Sequence, residues 1–133
     1  MSTRDPIHDE CSMGDLIVRA VQRGGDRVAF ALDDHSLTYR AFGDLLGRFV
    51  QALKARGLQR GDAIAVLSSN RPEAFLPTAA AYLMGLRITW MHPLGSEDDH
   101  VYLLEDSQVR TLFVDPATFS ERARALRARV ATL

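Results

Sequence analysis

Three short apolar runs, AIAVLSS (Ala63–Ser69), RITWM (Arg87–Met91) and RTLFV (Arg110–Val114), alternate with helix-length segments bounded by turn residues. This alternation restricts the fold more than any other feature of the chain. A short apolar run without polar alternation suits a strand covered on both faces, and such strands belong to parallel sheets. Parallel neighbours must be joined by crossovers, and the intervening segments have helical spacing. The expected architecture is α/β in three layers, with flanking helices on a mostly parallel sheet.

The helices announce themselves by caps and stripes. Ser12 followed by Asp15 has capping-box spacing, and Leu16, Ile17, Ala20 and Val21 then recur at helical intervals. Gly24-Gly25-Asp26 ends that helix. RVAFAL (Arg27–Leu32), a polar turn at Asp33-Asp34-His35, and SLTY predict a β-hairpin. Thr38 is placed to cap the next helix, where Phe42, Leu45, Leu46, Phe49, Val50 and Leu53 make one continuous stripe before Gly57. Gly43 and Gly47 sit off that stripe, where either close approach of a neighbour or simple tolerance explains them.

Gly61-Asp62 turns the chain into the first apolar run. Asn70 with Glu73 has capping-box spacing, and Pro72 suits a first helical turn. The helix Arg71–Met84 is apolar on nearly every face, which predicts cover on more than one side. After the second run, His92-Pro93-Leu94-Gly95 reads as a loop and Ser96 as a cap. Glu97, Asp98 and Asp99 then favour the positive end of a helix dipole. The final helix opens at Asp115-Pro116, with Phe119, Ala123, Leu126 and Val130 as its seam. Arg122, Arg124, Arg127 and Arg129 fall outside that seam, as a solvated face.

Composition excludes several classes. Sixteen Lys+Arg against 17 Asp+Glu leave a net charge of −1, so nothing attracts nucleic acid or an anionic membrane. Cys11 is the only cysteine, which forbids an internal disulfide and suits a reducing, cytoplasmic setting. The start is polar and acidic, unlike a secretory signal. Phe75–Met91 is interrupted by Pro77, Thr78 and Arg87, too soon for a transmembrane segment. Residues 1–11 read as a mobile lead-in and 12–133 as the α/β unit.

Leu37–Pro116 resembles the N-terminal part of the adenylate-forming (AMP-binding) superfamily, which includes acyl-CoA synthetases such as fatty-acid–CoA ligases. The matching pieces are LTY opening the long helix, GLQRGDAIAVLSSNRPE, a helix ending in MG, a strand running into HP, and YLLEDSQVRTLFVDP. They cover about 80 of the 133 residues, or about 120 with the first helix and hairpin. The resemblance implies an enzyme that uses ATP and Mg²⁺ to convert a carboxylic acid to an acyl-adenylate, then passes the acyl group to coenzyme A. Joining two anions demands cations and phosphate-cradling backbone N–H groups. Family members supply these from a Ser/Thr/Gly-rich loop ending in lysine, an acidic adenosine-binding segment, and a lysine on a C-terminal domain. None is present here, and the single lysine, Lys54, lies on the long helix.

The resemblance therefore implies a fragment that is inactive alone, with no catalytic residue, cofactor or metal of its own. Its partner would be the remainder of the ligase chain, and apolar faces left uncovered would drive self-association. Two alternatives keep the fold: a non-catalytic binding or assembly module, and an adenylation domain loading a carrier protein. Candidate substrate-side residues are Asn70, Trp90 and His92, because ligands of open α/β sheets favour the carboxyl ends of strands. The competing structural roles are a helix cap for Asn70 and a residue packed under a helix for Trp90. Relatives commonly carry Asn-Pro where this chain has His92-Pro93, and in some a basic residue follows that reaches the coenzyme A phosphate. Leu94 stands there and cannot make that contact, while His92 would act as a hydrogen-bonding loop residue. His92, Glu97, Asp98, Asp99 and His100 crowd together, yet the acids suit a helix N-terminus better than a metal site, and His100 reads as exposed. His35 reads as a solvated turn residue, and Cys11 has no basic neighbour to activate it.

Overall fold

A computed structural model of the chain describes residues 11–133, and the lead-in assigned to residues 1–11 therefore lies almost wholly outside the described residues. Helix α1 (Met13–Gly24) is followed by a hairpin, β1 (Val28–Leu32) and β2 (His35–Thr38), and the long helix α2 (Tyr39–Ala55). Then come β3 (Ala63–Leu67), a 3-10 turn at Pro72–Ala74, α3 (Phe75–Met84), β4 (Arg87–Trp90), α4 (Glu97–Asp106), β5 (Thr111–Val114) and α5 (Pro116–Arg129).

The strands β4, β3 and β5 form a parallel sheet in that order, with β3 in the centre. Ala63 pairs with Arg87 and Val66 with Trp90 on one side, Ile64 with Thr111 and Leu67 with Val114 on the other. All five β3 residues are buried, as their unbroken apolar run requires. Alternation splits them between two cores. Ile64 faces Phe42, Leu46 and Leu53 of α2 and Ala79–Ala81 of α3. Ala63, Ala65 and Leu67 face Leu104 of α4 and Leu126 of α5. The α/β three-layer expectation holds, with the hairpin as a separate two-stranded sheet. Phe30 ties the hairpin to the helices, its ring 5.2 Å from Phe42 and 5.7 Å from Phe75, which themselves stand 6.0 Å apart.

The capping box read at Ser12 is present, and the Ser96 cap proves to be a second one. Ser12 and Ser96 accept from the amides of Asp15 and Asp99, whose carboxylates return to the cap amides. Gly43 is a close-approach glycine: a Cβ there would lie 2.5 Å from Val21 Cγ1 on α1, whereas Gly47 faces open space. No helix among the described residues is long and apolar enough to cross a membrane.

Four expectations need correction. Asn70 does not cap α3. Arg71 holds the extended position before the 3-10 turn, with no side-chain cap bond, and the α-helix begins only at Phe75. Pro72 explains this, because the residue before proline is driven to extended backbone and the proline takes the first turn. His35 is the first residue of β2, and the hairpin turn is Asp33-Asp34 alone, with Asp33 at φ 51°. His100 is 1% exposed rather than solvated. Two of the four arginines on α5 are engaged, while Arg124 and Arg127 are exposed: Arg122 binds the His100 ring, and Arg129 bridges Glu97 and Asp98 at 2.7 Å each.

Candidate functional site

Parallel pairing delivers the ends of β3, β4 and β5 to one edge of the sheet. Ser68, Ser69, Asn70 and Arg71 leave β3 there, Met91 and Pro93 follow β4, and Asp115 follows β5. A cleft of about 480 Å³ opens at this edge. Phe30, Leu32, Phe75, Trp90, Met91 and Pro93 form its apolar walls, and Ser68, Ser69, Asn70 and Arg71 its polar side. A neighbouring cavity of about 340 Å³ shares Ser68, Arg71 and Ala74 with it and runs towards Phe49, Leu76 and Phe113. Such openings, mostly apolar with a few convergent polar groups, are what small-molecule sites look like.

Asp115 anchors the polar side. It is 6% exposed and caps α5 by accepting from the Ala117 amide at 3.1 Å. Ser69 Oγ donates to it at 2.5 Å and Thr118 Oγ1 at 3.2 Å. Arg71 lies 3.5 Å away and also 3.6 Å from Glu73. The Ser69 hydroxyl holds the Asp115 carboxyl below its ordinary 3.8; burial opposes this, and Ala117, Thr118 and Arg71 add to it. A carboxylate stabilised in this way is a weaker base than an ordinary one. It locks the end of β3 to the start of α5.

The sign of its pH effect follows. A folded-state pKa below the unfolded value gives stability that is fully present above about pH 4 and is lost as pH falls through the folded pKa. Asp115→Asn should therefore flatten the fall in stability below about pH 4, since asparagine still caps a helix. Urea unfolding at several pH values checks this, and an unchanged slope contradicts it.

The predicted residues fall as follows. Asn70 and Trp90 both border the cleft. Trp90 is 48% exposed, not packed under a helix, because it ends a strand whose only neighbour among the described residues is β3. His92 is exposed and absent from the cleft wall; its Nδ1 accepts from the Leu94 amide at 3.1 Å, so the ring serves its own loop. Leu94 is 89% exposed. Sequence reasoning missed Ser69, Arg71 and Asp115 as one polar cluster. The Asp-Pro signal for a helix start pointed to Asp115, but its partner Ser69 lies 46 positions earlier.

The cleft does not fit a nucleotide triphosphate. Among the described residues Arg71 is the sole cation lining it, and it is already shared by two carboxylates. No loop of consecutive glycine amides faces the cleft, and among the described residues no group of three or more His, Cys, Asp or Glu could hold a metal ion. What the arrangement offers is a surface for an apolar or aromatic group, with hydroxyl and amide partners at one side.

The comparisons with known proteins agree with this architecture. A family model described as "AMP-binding enzyme" matches residues 17–132. The medium/long-chain-fatty-acid–CoA ligase FadD8 of Mycobacterium tuberculosis is 38% identical over 131 residues, 98% of this chain and 22% of that protein. The 3-hydroxybenzoate–CoA/4-hydroxybenzoate–CoA ligase of Thauera aromatica is 31% identical over 106 residues, 76% of this chain and 20% of that protein. The chain thus spans about a fifth of the length of these curated relatives. Among solved structures, the N-terminal domain of FACL13 from Mycobacterium tuberculosis matches with a TM-score of 0.85 at 20% identity, over 93% of this chain and 32% of that one. The anthranilate CoA ligase AuaEII matches with 0.84 at 20% identity, over 92% of this chain and 24% of that one. These structural likenesses speak for the fold, and the family match and the sequence identities for kinship. The chain belongs to the AMP-binding enzyme family and carries the N-terminal α/β fold of adenylate-forming enzymes.

Proposed function

We propose that these residues form one wall of an ATP-dependent carboxylate–CoA ligase, working in the cytoplasm on a medium- or long-chain fatty acid or an aromatic acid. The observation that carries this is 38% identity to a fatty-acid–CoA ligase in an alignment that covers 98% of the chain. The cleft at the carboxyl edge supports it, being apolar and able to seat part of such a substrate. ATP, Mg²⁺ and coenzyme A would be held by other parts of the ligase, since the residues here do not suit them. Adenylation needs cations directed at the developing phosphoryl charge, and this chain directs none.

The protein expressed from its native gene should form an acyl-CoA from ATP, coenzyme A and a panel of fatty and aromatic acids. Trp90→Ala should raise KM for the preferred acid, because it removes a large apolar wall of the cleft. Transfer of the acyl group to a carrier protein and not to coenzyme A would change the accepting thiol in this proposal. Failure to adenylate any acid would overturn it.

The same proposal accounts for surfaces that the 133 residues leave uncovered. The outer edges of β4 and β5 have no strand partner among the described residues, and Tyr82 and Leu83 of α3 are exposed. Unpaired edges and apolar patches recruit other chains. The isolated 133-residue chain should therefore self-associate in sedimentation equilibrium at high concentration. A strict monomer there would count against uncovered faces.

A further inference from the structure

His100, the fourth residue of α4, is buried and lies outside the cleft described above. Its Nε2 lies 2.8 Å from the carbonyl oxygen of His92, and its Nδ1 lies 2.9 Å from an Nη atom of Arg122 on α5. Arginine has only donors, so Nδ1 accepts, and the ring proton sits on Nε2, donating to the loop carbonyl. The same Arg122 nitrogen donates to the carbonyl of Gly95 at 3.1 Å. His100 and Arg122 thus grip both ends of the His92–Gly95 loop from beneath.

The loop is also closed on itself. The Gly95 amide donates to His92 O at 2.9 Å, and the Leu94 amide to the His92 ring. A Cβ on Gly95 would stand 2.7 Å from His100 Nε2, so the imidazole edge rests directly on loop backbone. Filling this space needs only an apolar side chain, which would leave no polar group to satisfy. A histidine with both nitrogens committed, one to the loop and one to α5, instead fixes the angle of the loop. Met91 and Pro93, at that loop, line the 480 Å³ cleft.

We infer that His100, acting through its bonds to His92 and Arg122, is a positioning residue that holds the Met91–Gly95 segment as a wall of the substrate cleft. This rests on the proposal that the cleft serves a carboxylate–CoA ligase. Loss of the clasp would weaken binding of the acid more than it slows turnover, because the loop shapes the cleft and carries no reacting group.

Two measurements test it. In the 133-residue chain, amide hydrogen exchange at Gly95 reports the loop, and exchange at Met91, whose amide bonds to Val66 in the sheet, reports the fold. His100→Leu should speed exchange at Gly95 by about tenfold or more relative to Met91, and His100→Gln, which keeps one donor and one acceptor, should restore most of the protection. In the natively expressed protein, His100→Leu should raise KM for the acid about fivefold or more, with kcat within about twofold, and His100→Gln should recover KM.

Equal acceleration at Gly95 and Met91 would show a merely structural histidine and overturn the inference. So would a loosened loop with unchanged KM, or unchanged exchange in His100→Leu. A wild-type native protein without ligase activity would sink the functional proposal, while the exchange ratio still upholds or overturns the clasp.

Discussion

Leu104→Ala should cost about 3–5 kcal/mol, a large share of the stability of a domain this size. Leu104 is 0% exposed and packs in the core formed by Ala63, Ala65 and Leu67 of β3 with Val109, Leu126 and Val130. The neighbours are held by a close-packed sheet and two helices, so they relax only in part into the space. The remaining cavity keeps its unfavourable surface, which places the loss towards the upper part of the range. Small domains hold only about 5–15 kcal/mol in total, so a large fraction of the molecules would unfold in mild denaturant. Leu94→Ala, at the 89%-exposed loop tip, should change stability by less than about 0.5 kcal/mol. Paired urea titrations of the two variants check the contrast. Similar midpoints would contradict the placement of the core.

The second large effect is on chemistry. The 133-residue chain, supplied with ATP, Mg²⁺ and any carboxylic acid, should exchange pyrophosphate no faster than a protein-free control. Carboxylate attack on ATP brings anions together, and catalysis depends on cations fixed around the transferred phosphate before the reaction begins. Here the cleft's Arg71 is neutralised by Asp115 and Glu73, and Lys54 sits near the end of α2, the helix that leads into the amino end of β3. Ser69 donates to the Asp115 carboxylate, which it holds below its ordinary pKa. Carboxylate-dependent exchange above background would mean that this account has overlooked the catalytic groups.

The layered fold was legible because its signals are local. The stripe from Phe42 to Leu53 needs only the helical period, and its ends, Phe42 and Leu53, are buried together with Leu46 in the observed core. The unbroken run AIAVL announced a strand with cover on both sides, and β3 is buried throughout. Where the reading failed, a non-local or competing local effect won. Pro72 overrode the Asn70–Glu73 spacing by taking the first turn itself. His100 was misjudged because its partner Arg122 is 22 positions away on another helix. The same holds for Arg129 of α5, which reaches acids more than 30 positions earlier. At the candidate site, strand order was enough to bring Asn70 and Trp90 to one edge. The Ser69–Asp115 bond, across 46 positions, arises only from tertiary geometry, whereas the His92 ring turns back onto the amide two residues on in its own loop.

Titration of Mg²⁺–ATP into the ¹⁵N-labelled 133-residue chain, followed through its amide resonances, asks most directly whether these residues build a wall or a nucleotide site. The amides of Ser69, Asn70, Arg71 and Met91 at the cleft should stay unshifted at millimolar nucleotide. Saturable shifts at those amides with a micromolar midpoint would mean that the chain holds the nucleotide by itself.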